Sequence, residues 1–201
     1  MTVILSWNIQ AGLGCDGVTD LGRIADTIRA RDPDIICLQE VAQNVPDLAG
    51  GDDQVDRLLG LFAGYHAVFG AAIDRAIGDW AGRARFGNLI LSRLPVIQIF
   101  THPLPQRAAP GVKHMPRQAT EIVADSAAGM LRIVTTHFEF HSQAQGSPRP
   151  TISGACRRKP RPIWRCPAMI LAAASMPRHR GLLRRSTAAT SMPNREMRCT
   201  R

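Results

Sequence analysis

Three apolar runs in this chain each read as a buried strand, and each ends on a polar residue of a type that carries chemistry. Val3-Ile4-Leu5-Ser6-Trp7 runs into Asn8, Asp34-Ile35-Ile36-Cys37-Leu38-Gln39 into Glu40, and Leu131-Arg132-Ile133-Val134-Thr135-Thr136 into His137. Apolar strands occupy the middle of a sheet, and α/β folds bind ligands where strand carboxyl ends open onto one rim. An amide, a carboxylate and an imidazole on one rim point to a metal-assisted hydrolase.

Between these strands the pattern alternates. Leu21, Ile24, Ala25 and Ile28 recur at helical spacing, with Asp20 placed to cap the helix and Asp32-Pro33 to stop it. Strand, helix, strand over this span is a βαβ-like unit, or else two non-adjacent strands of a larger sheet. A second helix is expected around 54–62 and a short strand over 65–69, followed by a loop over 75–85. Residues 86–92 and 96–100 read as strands around Arg93-Leu94-Pro95, and 101–116 as a long loop with four prolines. Strands over 118–124 and 131–138 follow. About seven strands and two helices, with this much antiparallel pairing, predict a two-sheet α/β sandwich rather than a doubly wound fold.

The overall charge of +9 hides a break in composition. Residues 1–146 hold 12 Lys+Arg and 15 Asp+Glu, whereas 147–201 hold 13 Lys+Arg and a single acid, Glu196. Seven of the 14 prolines lie in that second stretch, which has no Phe or Tyr and no sustained period of 2 or 3.6. The chain therefore divides into a domain over 1–146 and a basic Arg/Pro-rich tail over 147–201, expected to be disordered or non-native. Two origins fit the tail: a GC-rich gene read in a shifted frame, or a basic arm for nucleic acid or an anionic surface. Its one apolar run, Ala168 to Ala174, is too short to span a membrane and could make two helical turns at most. No segment approaches transmembrane length, and the start has no basic n-region, so a cytoplasmic protein is expected. Five cysteines without a C-x-x-C pair signal neither a disulfide framework nor zinc.

Each candidate residue has a chemical and a structural reading. Glu40, at the mouth of an apolar strand, either binds a hard cation such as Mg²⁺ or Mn²⁺ or pairs with an arginine such as Arg93 or Arg117. Asn8 either orients a metal and its water or ends a strand as a turn residue. His137 either donates to a phosphate oxygen or acts as acid or base, or is a hydrogen-bonded core histidine. His141 reads as a loop histidine that could share the rim. The glycine-rich Gln10 to Gly17 lacks the spacing of a phosphate-binding P-loop and reads as a flexible rim loop.

Together, Leu5-Ser6-Trp7-Asn8-Ile9, Asp34 to Val41, Phe86-Gly87-Asn88-Leu89-Ile90-Leu91-Ser92-Arg93 and Val134-Thr135-Thr136-His137-Phe138 resemble, in order, the motifs of the endonuclease/exonuclease/phosphatase family. These are the metal-dependent phosphodiesterases and phosphatases related to pancreatic deoxyribonuclease. The resemblance implies a four-layer α/β sandwich, two mainly antiparallel sheets flanked by helices, incomplete at its C-terminus. It implies Mg²⁺ (or Mn²⁺) held by Glu40 with help from Asn8, His137 stabilising the transition-state phosphate, and Arg117 as a phosphate contact; His141, if it shares the rim, is a second candidate substrate contact. Asn88 and Ser92 look structural. The implied partner is a phosphate-ester substrate, with nucleic acid among the candidates.

The chain departs from that pattern after residue 138. The family's Gly-Asp-x-Asn motif and its final Asp-His pair have no counterpart here, and the last aspartate in the sequence is Asp125. The expected function is accordingly a metal-dependent phosphoesterase that is impaired or inactive. The alternative is a non-catalytic binding protein on a degenerate phosphoesterase fold, with the basic tail as its anion-binding arm. Loss of the closing strands would also leave an unpaired edge on the second sheet.

Overall fold

The computed structural model describes residues 1–78, 82–105 and 115–138, with a further strand over 168–174. In chain order the described elements are β1 (Ile4–Asn8), α1 (Leu21–Arg29), β2 (Ile35–Gln43), α2 (Gln54–Leu61), β3 (His66–Ile77), β4 (Gly82–Ser92), β5 (Val96–Pro103), β6 (Gln118–Ser126), β7 (Gly129–His137) and β8 (Ala168–Ala174). They form two four-stranded sheets, ordered β1-β2-β4-β3 and β5-β6-β7-β8. The fold is an α/β sandwich, as the strand pattern predicts.

α1 forms where the periodicity puts it. Leu21, Ile24, Ala25 and Ile28 are its buried stripe, and the Asp20 carboxylate caps it by accepting from the Gly22 and Arg23 amides at 2.8 and 3.1 Å. α2 is capped by Asp53, which accepts from Asp56 N at 3.0 Å. Both helices cover one face of the first sheet, where Ile36, Leu38, Val41, Leu89 and Leu91 meet Leu21, Ile24, Ile28 and Leu58. The other face packs on the second sheet through Ile35, Cys37, Val68 and Ile90 against Ile122, Ala124, Leu131 and Ile133. β2 is thus buried on both sides, the reason its stretch Ile35 to Leu38 is an unbroken apolar run. β1 and β2 are adjacent and parallel, so the βαβ reading of this segment holds.

Three expectations are corrected. Residues 75–85 are not a loop. β3 runs on to Ile77 and β4 begins at Gly82, making a long ribbon in which Asp74 lies opposite Arg85. Asp74 takes ion pairs from Arg83 Nε at 2.6 Å and Arg85 Nε at 3.3 Å. Charged residues paired across the ribbon replace the apolar alternation that would have revealed a strand. Second, the run Ala168 to Ala174 is a strand rather than helical turns, parallel to β7 with His137 beside Ala174. Third, β8 occupies the edge of β7 that the sequence suggested would be bare.

Deeper in the sandwich the two sheets meet through apolar side chains, but toward the rim they meet through hydrogen bonds. Gln39 Nε2 donates across to Thr135 Oγ1 at 2.7 Å and to Ser6 Oγ at 3.2 Å. Asn88 Nδ2 and Thr136 Oγ1 both donate to the Gln118 carbonyl, at 3.1 and 3.0 Å. Asn88 is structural, as the resemblance implies. Ser92 is structural too, exchanging hydrogen bonds with Leu94 in the turn before β5.

Candidate active site

The carboxyl ends of β1 and β7 and a bulge within β2 converge on one rim, and the local backbone explains how. β2 does not stop at Gln39. It continues to Gln43 through a bulge between Leu38 and Val41, and Glu40 sits in that bulge with φ of 59°. A left-handed backbone is costly for a residue with a long side chain and persists only where the surroundings enforce it. The bulge turns Glu40 out of the alternation and aims it at the rim. β1 ends just as sharply. After Asn8 and Ile9, Gln10 and Ala11 are both left-handed, with φ of 50° and 51°. Asn8 Oδ1 accepts from the Gln10 amide at 3.0 Å, an Asx-type turn that fixes the carboxamide. The glycine-rich segment after it is ordered, with Leu13 bridging to Thr19 and Gly14 N donating to Val18 O at 2.9 Å.

His137 is the centre of the group. Its Nδ1 lies 3.3 Å from Glu40 Oε1 and 2.9 Å from Arg117 Nη1, and its Nε2 lies 3.4 Å from Asn8 Nδ2. Asn8, Glu40, Arg117 and His137 are therefore brought together from four segments far apart in sequence. Glu40, Phe86, Gly87, Asn88, Arg117 and His137 line a shallow opening at this point. The fifth sequence candidate, His141, lies outside the described residues. Of the arginines proposed to neutralise Glu40, Arg93 is at the opposite end of the strands, bonded to Asp32 and stacked over Tyr65. Arg117 is at the site, where it reaches the imidazole.

The contacts make opposite demands on the ring. Arg117 donating to Nδ1 requires a lone pair there and puts the ring proton on Nε2. Glu40 accepting from Nδ1 requires the reverse tautomer. Asn8 Nδ2, which can only donate to Nε2, sides with Glu40, so these three contacts do not select one tautomer. His137 Nε2 and Asn8 Nδ2 lie side by side at the rim, 3.4 Å apart.

The donor chemistry fits a hard divalent cation that keeps most of its waters. Glu40 has one carboxylate oxygen toward His137 and, among the described residues, no other hydrogen-bonding or ionic partner, with 17% of its side chain exposed. The Asn8 carbonyl keeps a second lone pair. Oxygen donors in small number match Mg²⁺ or Mn²⁺, and the described residues contain no group of three His, Cys, Asp or Glu that would form a closed cage.

Two supporting glutamines escaped the sequence reading. Gln39 is fully buried and ties the sheets directly beneath Glu40 and His137, leaving its own Oε1 without a partner. Gln54 is also fully buried. It accepts from Ala42 N at 3.0 Å and donates to Ala11 O at 2.6 Å. A glutamine after a capping aspartate looks solvated in sequence, and nothing local signals partners so distant.

The family model described as "Endonuclease/Exonuclease/phosphatase family" matches residues 5–181. Among solved structures, an endonuclease/exonuclease/phosphatase from Beutenbergia cavernae DSM 12333 is similar at 31% identity and a TM-score of 0.59, over 70% of this chain and 39% of that one. A family protein from Leptotrichia buccalis C-1013-b has 16% identity and a TM-score of 0.51, over 72% of this chain and 58% of that one. A mannosyl-6-phosphatase of Bacteroides thetaiotaomicron VPI-5482 has 15% identity and a TM-score of 0.51, over 72% and 54%. The chain thus spans between 39% and 58% of the lengths of these relatives. No curated protein matches it by sequence. On the family match over most of its length, the chain belongs to the endonuclease/exonuclease/phosphatase family.

Proposed function

We propose that the rim formed by Asn8, Glu40, Arg117 and His137 is part of a metal-dependent phosphoesterase site, and that hydrolysis of a phosphoester is impaired in this chain. The observation that carries the reading is Glu40: a strained carboxylate in a bulge, with one oxygen toward His137 and, among the described residues, no other ionic or hydrogen-bonding partner. Strain of this kind is concentrated at functional sites, and here it serves to present the carboxylate.

Glu40 and Asn8 would hold Mg²⁺ or Mn²⁺, which when bound polarises a phosphate and helps supply the attacking hydroxide. The protein's own groups do the rest. Arg117, in contact with the imidazole, adds positive charge beside the phosphate. With a proton on Nε2, His137 and Asn8 Nδ2 would offer paired donors to an oxygen that gains charge in the transition state, which is worth more there than in the ground state. None of these groups is placed as the general base. In the family resemblance that role belongs to the Asp-His pair, which the sequence lacks. Absence of a positioned acid/base group typically lowers the rate by about 10²–10⁴-fold.

The substrate is a phosphoester, with a nucleic acid backbone one candidate. The described helices include none long and apolar enough to cross a membrane. Manganese titration followed by electron paramagnetic resonance tests the reading. The wild-type chain should take up Mn²⁺ at a site that disappears in Glu40→Gln. Equal uptake by both proteins would refute it.

A further inference from the structure

We propose that Gln54 is a positioning residue, whose buried carboxamide locks the Asn8 turn to the Glu40 bulge and so sets the separation of the two groups that would hold the metal. Its link to function rests on the phosphoesterase reading above. Its structural content does not.

β1 pairs with β2 only as far as Gln39, and among the described residues no strand lies beside this edge of β2 until the Gln43–Asp53 bridge. The Gln54 side chain stands in for the missing neighbour. Oε1 accepts from Ala42 N, two residues after Glu40, and Nε2 donates to Ala11 O, three residues after Asn8. One amide therefore spans both strained segments, the left-handed Gln10-Ala11 turn and the left-handed Glu40. Left-handed non-glycine residues are held by what surrounds them, and here the same side chain touches the backbone of both segments. Gln54 is itself held. It opens α2, whose cap Asp53 is tied to the end of β2 by Gln43 Nε2 at 2.8 Å. Both ends of the carboxamide are occupied by backbone and the side chain is fully buried, so it acts through the strand ends and not on a substrate.

The experiment uses the full chain and three variants, Gln54→Met, Gln54→Glu and Val55→Ala. Val55 packs against the same core from the next position of α2 and is the control for general loosening. Amide exchange at Ala42 and Gln10 and the Asn8 side-chain NH₂ resonances are read by NMR. Gln54→Met should speed exchange at Ala42 by at least about tenfold, because its amide loses its acceptor, and should shift Gln10 and Asn8. Gln54→Glu keeps an acceptor for Ala42 but loses the donor to Ala11. It should preserve protection at Ala42 while still shifting Gln10 and Asn8. Val55→Ala should leave all three in place. Mn²⁺ affinity should fall about tenfold or more in Gln54→Met, as for groups that orient metal ligands. A wild-type chain that binds no Mn²⁺ would remove the metal reading, and the NMR signals would still decide the role of Gln54. Gln54 variants that shift Ala42, Gln10 and Asn8 no more than Val55→Ala does would overturn the proposal.

Discussion

Replacing Gly87 with alanine tests how tightly the rim is built. Gly87 lies opposite Val41, immediately past the Glu40 bulge, and lines the opening. A Cβ there would fall 1.9 Å from Gly70 O and 2.9 Å from the Ala71 Cα, both backbone atoms of β3. A carbon and a carbonyl oxygen ordinarily approach to about 3.3 Å. The ladder between β3 and β4 would therefore have to open by roughly 1 Å or more, and no side-chain rotation can relieve it. Overpacking usually costs about 1–3 kcal/mol, and backbone as the obstacle puts this case at the upper end, about 3 kcal/mol. For a chain of this size that corresponds to a fall in melting temperature of roughly 6–12 °C. Gly60 is the matched contrast. It lies in α2 with nothing within 4 Å of a modest side chain, so Gly60→Ala should stabilise by about 0.5–1 kcal/mol. Urea and thermal melts followed by far-ultraviolet circular dichroism measure both. A Gly87→Ala protein within about 0.5 kcal/mol of wild type would refute the close approach of β3 and β4 at the bulge.

Three other outcomes are expected. Asp20→Ala removes the cap of α1 and should cost about 1 kcal/mol in urea melts, with the site resonances unmoved. Ile133→Ala leaves a cavity between the sheets and should cost about 2–5 kcal/mol, whereas a cost under about 1 kcal/mol would mean that the sheets do not meet there. Cys37 is buried and its thiol is pushed up from the usual 9.0 to about 12 by desolvation. In the folded protein at pH 8, peptide mapping after iodoacetamide should find exposed Cys15 modified and Cys37 intact. Because the folded pKa is the higher one, the Cys37 contribution is complete below pH 9. It is lost as pH rises toward 12, and Cys37→Ala should flatten that part of the stability profile.

Legibility in the sequence followed the range of each interaction. The α1 stripe and its Asp20 cap depend on spacing within ten residues, and periodicity alone located them. Asn8, Glu40 and His137 stood out because apolar strands end at chemically capable residues, although the bulge that aims Glu40 left no sign in the apolar run. The β3–β4 ribbon was hidden because its partners, such as Asp74 with Arg83 and Arg85, are charged on both strands. β8 was hidden by a run of alanines with no alternation, which becomes a strand only beside β7. Gln39 and Gln54 act through partners such as Thr135 and Ala11, which only the folded chain brings near. The candidate site was thus readable in the residues that end its strands and unreadable in what holds them apart.

Steady-state hydrolysis of bis(4-nitrophenyl) phosphate, with Mg²⁺ present and after chelation, tests the central claim most directly. Enzymes typically turn over at about 10 s⁻¹, and the proposed impairment should take this chain below about 0.1 s⁻¹. The residual turnover should require Mg²⁺ and vanish in Glu40→Gln. Turnover near about 10 s⁻¹, or turnover that survives chelation and the Glu40 substitution, would contradict a Glu40-anchored and impaired phosphoesterase site.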